Sequence, residues 1–445
     1  MFIRSASGLR GIAKEDFSPD VIDQYVCSYI LNQNIQKCTI GRDGRKSGSE
    51  ISKWVINSLI NNGVDVVNCD LATTPTMQLI TEKSDCNGGI VITASHNPAE
   101  YNGLKFLQSD GTFLTPKQCE ELFKSVDNEE KIELQTNIGH ISQYANADKD
   151  HINAILNLSC IEREKIKSNK FKVVIDATNG GASKILPMLC RELNCSVVTI
   201  NCDGNGDYSR NPEPLSINLG ELEKRVKKEN ADIGLATDPD GDRLSIVSND
   251  GKAIGEELSL PLAIMNYSFY SIKPETFVTN LSTSMMVDDV VSSFNGTLLR
   301  SKIGEANVVS LMRKHNVNLG GEGNGGIILK EAHLGRDSLV GAAMVLNLMS
   351  IKSNTLDNII TEIPQYVFIK DKINLNSSKE IDIDSLDSVF NCDEINKLDG
   401  IKFIWSNKWI HIRKSNTEPI LRIFAEGTSI NELRLLTKKL QEFVR

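Results

Sequence analysis

The sequence predicts three successive α/β units followed by a smaller α+β unit. Three observations support this fold class. Short apolar strands alternate with amphipathic helices, the alternation restarts twice, and the C-terminal part changes to strands of alternating apolar and polar residues before one last helix. Strands that alternate with helices are typical of a mostly parallel sheet.

The strands of each unit can be placed in order. The first unit has strands at 38–40, 64–67 and 89–93, and a helix at 51–60 that stops at Asn62-Gly63. Later strands are expected at 172–176, 196–200, 232–236, 276–279, 317–319, 364–370, 401–405 and 409–413, and the last helix follows a cap at Ser429. Polar stretches between the units predict domains at 1–145, 146–252, 253–360 and 361–445.

The composition is that of a globular protein, with 40% hydrophobic and 24% charged residues, so a disordered or fibrous chain is excluded. The net charge of -9 argues against a nucleic-acid or membrane partner, which would need a basic face. Small anionic substrates are compatible with it, because local charge decides their binding. The most apolar stretch, 339–349, is too short for the roughly 20 residues of a membrane span and predicts a buried helix.

The cysteines and histidines give no sign of a metal site. The ten cysteines are scattered without a Cys-x-x-Cys pair, and the six histidines are dispersed along the chain. Reduced thiols, and an N-terminus without an apolar leader, lead us to expect a cytoplasmic protein.

The strongest motif, Thr-Ala-Ser-His-Asn-Pro at 93–98, directly follows an apolar strand, where α/β sheets place ligands. Ser95, beside His96 on a turn constrained by Asn-Pro, is a candidate nucleophile. Lys105 could be its base or a phosphate anchor. A serine that caps a structural turn is the alternative for an isolated Ser-His pair.

A second motif, Asp-Pro-Asp-Gly-Asp-Arg at 238–243, also follows an apolar strand. Its carboxylates can converge on one divalent cation, and hard oxygen ligands favour Mg²⁺ or Mn²⁺. An EF-hand is excluded, because the glycine is fourth rather than sixth and Asn249 is twelfth. A solvated acidic turn is disfavoured, because three like charges repel unless a cation or Arg243 offsets them. The candidate ligands are Asp238, Asp240 and Asp242.

A third motif, the glycine-rich run at 320–326, formally matches GxGxxG. Apolar residues 327–329 continue as a strand, whereas the dinucleotide fingerprint needs a helix there, so that interpretation fails. Glu322 and Asn324 on a flexible loop suit hydrogen bonds to sugar hydroxyls. A plain tight turn is the alternative.

A fourth motif lies in the C-terminal unit, where a guanidinium, hydroxyls and backbone N–H groups share one loop. Such a loop can hold a phosphate, although a solvated loop before a strand explains the same residues. Its members are Arg413, Ser415, Asn416 and Thr417, with Arg422 following. Two shorter stretches, at 7–11 and 41–45, put Arg10, Arg42 and Arg45 beside glycines and mean little singly.

Together and in this order, the four motifs resemble the α-D-phosphohexomutase family over essentially the whole chain. Ser95 matches its phosphoserine loop, 238–242 its metal loop, Glu322 its sugar-binding loop and 413–417 its phosphate-binding loop. The resemblance implies three related α/β domains with mixed, mostly parallel sheets and a smaller C-terminal α+β domain around a central cleft.

The resemblance also implies a reaction. Phosphate on Ser95 would pass to a hexose 1- or 6-phosphate, giving a 1,6-bisphosphate that reorients and returns its other phosphate; the bisphosphate is thus intermediate and primer. One Mg²⁺ would be held by the three aspartates and phosphorylated Ser95. Lys105 or His96 would move the proton, with Arg10 and Arg243 in the catalytic set. Small sugar phosphates are the expected partners of a monomer or homodimer.

Two departures from the family pattern bear on the sugar. Its sugar loop often reads Gly-Glu-x-Ser-Gly-His, but Asn324 and Gly326 replace the Ser and His here, and Ala6 replaces an early Thr. The variant loop looks most like some phosphoglucosamine mutases. Phosphomannomutase/phosphoglucomutase is the alternative, a metal-dependent sugar-phosphate phosphatase is a rival of another class, and a non-catalytic sugar-phosphate sensor is a third.

Overall fold

A computed structural model of the chain describes residues 2–5, 8–129, 137–374, 386, 389–414 and 420–444. These residues form four sheets, of seven, four, four and five strands in chain order. Each sheet belongs to one unit of the fold.

The first unit has a seven-stranded sheet in the order β1-β2-β6-β5-β3-β4-β7. Helices α2, α4 and α5 each start at a Ser or Thr whose side chain accepts a backbone N–H, followed by Pro in the first turn. Its strands are β1 (Ile3–Ser5), β2 (Gly8–Ile12), β3 (Lys37–Arg42), β4 (Asp65–Leu71), β5 (Gly88–Ile92), β6 (Tyr101–Gln108) and β7 (Ile141–Gln143). Its helices are α1 (Ala13–Asp16), α2 (Pro19–Gln33), α3 (Gly48–Asn61), α4 (Thr74–Lys83) and α5 (Pro116–Asp127).

The second unit has a four-stranded sheet in the order β11-β10-β8-β9. Its strands are β8 (Lys172–Asp176), β9 (Ser196–Ile200), β10 (Ile233–Thr237) and β11 (Leu244–Val247). Its helices are α6 (Ala147–Leu156), α7 (Arg163–Asn169), α8 (Ala182–Glu192) and α9 (Gly220–Glu229), with a 3₁₀ turn at Ser216–Asn218. Strand β10 is buried along its whole length.

The third unit has a four-stranded sheet in the order β13-β12-β14-β15. Its strands are β12 (Thr276–Asn280), β13 (Thr297–Ser301), β14 (Leu319–Glu322) and β15 (Gly326–Leu329). Its helices are α10 (Ser259–Ser268), α11 (Met286–Ser293), α12 (Glu305–His315), α13 (Ser338–Lys352) and α14 (Leu356–Ile360), with a 3₁₀ turn at Glu256–Leu258.

The first three units share one strand order. It reads β4-β3-β5-β6, then β9-β8-β10-β11, then β13-β12-β14-β15. In each, three strands run parallel and the last returns antiparallel to the third. This confirms three related α/β units, although their sequences share little. The turn between the third and fourth strand therefore has the same place in each unit.

The fourth unit is α+β, as predicted. All pairings in its sheet are antiparallel, in the order β16-β20-β19-β18-β17. Alternating burial along β20 shows one face on the core and one toward solvent. Its elements are β16 (Val367–Asn374), β17 (Glu394–Asn396), β18 (Ile401–Trp405), β19 (Lys408–Lys414), β20 (Ile420–Gly427) and α15 (Ile430–Val444).

Helix α13 is buried from residue 338 to residue 350, which confirms the buried helix predicted at 339–349. Its apolar side chains belong to one core that joins the second and third units, whereas the first and fourth units have cores of their own. Within the part of the chain that the structure describes, no helix has both the length and the apolar character needed to cross a membrane.

The third and fourth units meet through polar groups, here called the polar seam: the buried Ser284, His411 and Glu426 and the partly exposed Ser282. His411 Nε2 lies 2.5 Å from the Asp399 carbonyl oxygen, so Nε2 carries the proton and Nδ1 accepts from the Ser282 hydroxyl at 2.8 Å. Ser284 donates to Glu426, which also accepts from Trp409 Nε1 at 2.7 Å. The fourth unit is thereby fixed against the strand ends of the third.

Candidate active site

The equivalent turns of the first three units meet at one point. Ser95, after β5, donates a hydrogen bond from Oγ to Asp238 Oδ2 of the second unit at 3.2 Å. Lys105 of β6 lies 2.6 Å from Asp240 Oδ2. Arg336 of the third unit lies 2.6 Å from Asp242 Oδ2. Because loops at equivalent sheet edges converge, segments distant in sequence form one site.

Ser95 is held in a conformation that few non-glycine residues adopt. Its φ is +51°, in the left-handed region. Its N–H donates to Thr93 Oγ1 at 2.8 Å, and its carbonyl oxygen accepts from Arg45 Nη2 at 2.6 Å. The hydroxyl faces Asp238 and lies 3.3 Å from His96 Nδ1. The hydroxyl thus points to the acidic loop of the second unit, which argues against the alternative of a serine that only caps its own turn.

Arg45 is the residue whose importance sequence reasoning missed. Its guanidinium is fully buried, pairs with Asp43 at 3.1 Å and donates to four backbone carbonyls of the Ser95 turn at 2.6 to 2.9 Å. Tyr208 of the second unit lies over it at 5.3 Å. The sequence shows this arginine beside a glycine in the stretch at 41–45, a pattern that means little by itself. The four acceptors are Ser95, Asn97, Pro98 and Tyr101.

The three aspartates of the second turn are completely buried, so a solvated acidic turn is wrong. One oxygen of each carboxylate lies within 4.8 Å of the others. Asp240 Oδ1 and Asp242 Oδ1 have no hydrogen-bond partner among the described residues. Buried carboxylate oxygens without a donor suit a hard divalent cation, and the residues therefore fit Mg²⁺.

The electrostatics of the turn follow from this crowding. Burial and the neighbouring Asp242 and Asp240 carboxylates raise the pKa of Asp238 well above its ordinary value. Burial opposes ionisation of Asp240 too, but the Lys105 ammonium outweighs it and lowers the pKa of Asp240. The Arg243 guanidinium, helped by burial, lowers the pKa of His96 well below its ordinary value. The resting imidazole is therefore neutral.

The third turn is a tight hairpin, not the flexible loop expected. Glu322 ends β14 and β15 starts at Gly326, which confirms that no dinucleotide-type helix begins there. The Glu322 carboxylate accepts from Asn280 Nδ2 at 2.8 Å, the Gly304 N–H at 3.0 Å and Arg336 Nη1 at 3.2 Å. Asn324 lies 3.5 Å from it. A pre-ordered carboxylate at this position can orient a hydroxyl-rich ligand.

Arg336 was also missed, because it belongs to no motif. Besides Asp242 and Glu322, it binds Glu305 Oε2 at 2.9 Å. It joins the acidic turn of the second unit to the sugar-type hairpin of the third. The only indication in the sequence was the position of Arg336 directly before Asp337, the N-cap of α13.

The remaining predicted residues are divided between the site and its surroundings. Arg10 donates to Asn97 Oδ1 at 2.8 Å, and Arg243 lies 3.2 Å from Glu213 Oε1. Arg413 lies 3.7 Å from Asp399 Oδ2. Ser415, Asn416 and Thr417 lie outside the described residues.

A cavity of about 660 Å³ opens between all four units. The first unit contributes His96, the second Arg243, the third Glu322 and the fourth Arg422. A volume of this size accommodates a small polar ligand. Its cationic groups come from both the second and the fourth unit, which suits a ligand with separated anionic ends.

Two histidines that seemed unconnected in sequence meet behind the site. His151 Nε2 and His333 Nε2 lie 2.7 and 3.1 Å from Asp337 Oδ2, and all three residues are buried. His151 Nδ1 also contacts Thr76 Oγ1 at 2.9 Å. These separations are those of hydrogen bonds, so we interpret the cluster as a link between α4, α6 and α13.

Four family profiles match the chain in order. They are described as phosphoglucomutase/phosphomannomutase alpha/beta/alpha domain I at residues 2–133, domain II at 149–251, domain III at 260–366 and the C-terminal domain at 373–442.

Curated relatives match over nearly the whole chain. A phosphoglucomutase/phosphomannomutase of Thermococcus kodakarensis is 32% identical over 96% of this chain and 95% of its own length. A probable phosphoglucosamine mutase of Pyrococcus abyssi is 32% identical over 99% and 97%.

Solved structures share the fold. A phosphoglucomutase/phosphomannomutase family protein of Burkholderia thailandensis superimposes with a TM-score of 0.86 at 25% identity, covering 98% of this chain and 96% of that one. The N-acetylphosphoglucosamine mutase of Aspergillus fumigatus, solved with GlcNAc-6P and magnesium, gives a TM-score of 0.58 at 14% identity over 100% and 96%. The latter likeness concerns the fold alone.

Proposed function

The chain belongs to the phosphoglucomutase/phosphomannomutase family, and on that premise we propose that this phosphohexomutase converts glucosamine 6-phosphate to glucosamine 1-phosphate. Ser95 would carry the transferred phosphoryl group. The main support is the 3.2 Å separation between Ser95 Oγ and Asp238 Oδ2, which joins a candidate nucleophile to a candidate cation site in one buried position.

The P–O bond to Ser95 Oγ breaks while a P–O bond forms to a hydroxyl oxygen of the hexose monophosphate, giving a hexose 1,6-bisphosphate. The hydroxyl proton would pass to the neutral imidazole of His96 or, if Lys105 is the base, to its unprotonated amine, and would then return to Ser95 Oγ. After the bisphosphate turns over in the cleft, Ser95 attacks its other phosphate. If Ser95 has lost its phosphate, added hexose 1,6-bisphosphate phosphorylates it again by the same step.

Positioning and charge neutralisation dominate phosphoryl transfer. Asp238, Asp240, Asp242 and the Ser95 phosphate would hold Mg²⁺, which would neutralise charge on the transferring group. Lys105, Arg10 and Arg243 bring further positive charge to the same place. Without such compensation, a phosphoserine would be repelled by the buried carboxylates.

The residues that line the cavity suit a substrate that binds in two opposite orientations. Glu322, with Asn324 beside it, would orient the sugar ring. Arg422, together with Arg413 and the loop of Ser415, Asn416 and Thr417, would hold the phosphate that does not react. Hydrolysis would gain nothing from this second phosphate site, which favours a mutase over a phosphatase.

The sugar is assigned by likeness to relatives. Probable phosphoglucosamine mutases of about 30% identity support glucosamine, and the Thermococcus relative supports phosphomannomutase/phosphoglucomutase as the alternative. A coupled assay with glucosamine, mannose, glucose and N-acetylglucosamine phosphates decides between them. We expect isomerisation, fastest with glucosamine, that is abolished in Ser95→Ala. Release of inorganic phosphate would indicate the phosphatase, and binding without turnover the sensor.

A further inference from the structure

The third unit places a carboxylate in the substrate cavity that the reaction above does not use. Glu257, in the 3₁₀ turn before α10, lines the cavity together with Glu322 and Asn324. Its Oε2 accepts the N–H of Ser284 at 3.2 Å. No cation forms an ion pair with it among the described residues, whereas its neighbour Glu256 pairs with Lys370 at 2.9 Å.

The sugar-type hairpin is shaped around this carboxylate. A Cβ atom on Gly323 would collide with the carboxyl group of Glu257, so only glycine lets the carboxylate lie against the hairpin. Gly323 is also the residue between Glu322 and Asn324. Glu257 therefore shares the wall on which the sugar ring would rest.

Two further carboxylates lie near Glu257. Glu256, Glu257 and Glu426 are close together, and Lys370 is the cation among them. Burial, opposed by Lys370 and reinforced by Glu256 and Glu426, raises the pKa of Glu257 to about 8. A bound cation would favour the ionised carboxylate and relieve this repulsion.

We propose that Glu257 is a specificity-determining residue that binds a protonated amine on the hexose, and so selects a 2-amino sugar phosphate over neutral sugars. This inference rests on the proposed mutase function and names the substrate class within it. A hydroxyl at the same carbon can hydrogen-bond to the carboxylate but cannot neutralise it. An N-acetyl group is uncharged and larger, so it is disfavoured on both counts.

The test is Glu257→Gln, which keeps the acceptor for Ser284 but cannot become charged when the amine binds. We expect kcat/KM for glucosamine phosphate to fall about 10- to 100-fold, the range for a hydrogen bond to a charged group. The value for glucose phosphate should change less than about threefold. Since the equilibrium constant is unchanged, kcat/KM must fall by the same factor in both directions, which checks the measurement internally.

Two further variants sharpen the test. Gly323→Ala should displace the carboxylate and lower the glucosamine/glucose ratio in the same direction. Asp371→Asn removes an equal charge from an exposed position on the same cavity and should leave the ratio unchanged, because exposed charges are screened. Thermal unfolding of each variant identifies a misfolded protein.

The possible results distinguish failure of the amine site from failure of the mutase function. An equal loss for every sugar in Glu257→Gln would overturn the amine site and leave the mutase function standing. If the wild type isomerises hexose phosphates without preferring glucosamine, the amine site and the sugar assignment both fail. If it isomerises none, the mutase function fails, and calorimetric binding of glucosamine 6-phosphate against glucose 6-phosphate then decides on the amine site.

Discussion

Arg45 donates a hydrogen bond of 2.6 Å to the carbonyl oxygen of Ser95, fifty positions further along the chain. The contact connects the strand end of β3 to the turn after β5, its parallel neighbour. A charged donor at this point stabilises a left-handed serine that would otherwise relax. We therefore interpret Arg45 as a residue that positions the proposed nucleophile, Ser95, through its backbone.

The first prediction concerns this contact. Arg45→Lys keeps the charge but loses the planar set of donors, so kcat should fall about 10-fold or more with a smaller change in KM. Arg42→Lys, in the same stretch and paired with the exposed Asp70, is the matched control and should behave like wild type. Unchanged kcat in Arg45→Lys would contradict a positioning role. Steady-state assays and thermal unfolding provide the measurements.

The second prediction concerns the covalent state of the enzyme. Purified protein should contain a fraction phosphorylated on the peptide that carries Ser95, and phosphatase treatment should remove it. Addition of hexose 1,6-bisphosphate should restore the modification and the activity together. Intact-mass and peptide mass spectrometry make the measurement. Phosphate found exclusively on other serines would refute the mechanism.

The third prediction concerns the metal. Wild-type protein should melt at a higher temperature with Mg²⁺ than with a chelator, because a ligand that binds only the native state stabilises it. Asp238→Asn should abolish that shift and lower kcat at least about 100-fold. Without metal the variant should be no less stable than wild type, because one of three repelling carboxylates is gone.

A control for the metal prediction is Asp250→Asn, which removes an exposed carboxylate just beyond β11. It should keep both the Mg²⁺-dependent shift and the activity. A wild-type protein that works at full rate in excess chelator would sink the prediction.

The fourth prediction concerns acid stability. Burial lowers the pKa of His411 from its ordinary 6.5 to about 4. Between these values the unfolded chain binds a proton that the folded chain does not, so stability falls as the pH drops from about 6.5 to 4, by roughly 3 kcal/mol in all. Above pH 6.5 this residue contributes no pH dependence.

Chemical denaturation at a series of pH values tests the fourth prediction. The His411→Gln variant keeps a polar group toward Ser282 but cannot be protonated, so its stability should vary less over this interval. His315→Gln, which changes an exposed histidine, is the control. Identical pH profiles for wild type and His411→Gln would show that the seam is not the acid-sensitive element.

Much of this architecture could be predicted from the sequence, because its signals are local. The strands and the motifs at 93–98 and 238–243 follow from apolar runs that end in turn residues. Arg45 and Arg336 could not be identified, since their roles depend on carbonyls and carboxylates brought together by the fold. The meeting of His151 and His333 at Asp337 has the same origin. The domain boundaries after residues 145, 252 and 360 remain predictions.

The polar seam between the third and fourth units also affects how much free energy is needed to separate the two units. When the units separate, these polar groups exchange their protein partners for water. Little net hydrogen-bonding free energy is therefore lost. An apolar contact of equal area would cost more free energy to separate, because apolar surface would be exposed to water. We therefore expect the fourth unit to separate from the third at a lower cost than it would across an apolar contact of the same area.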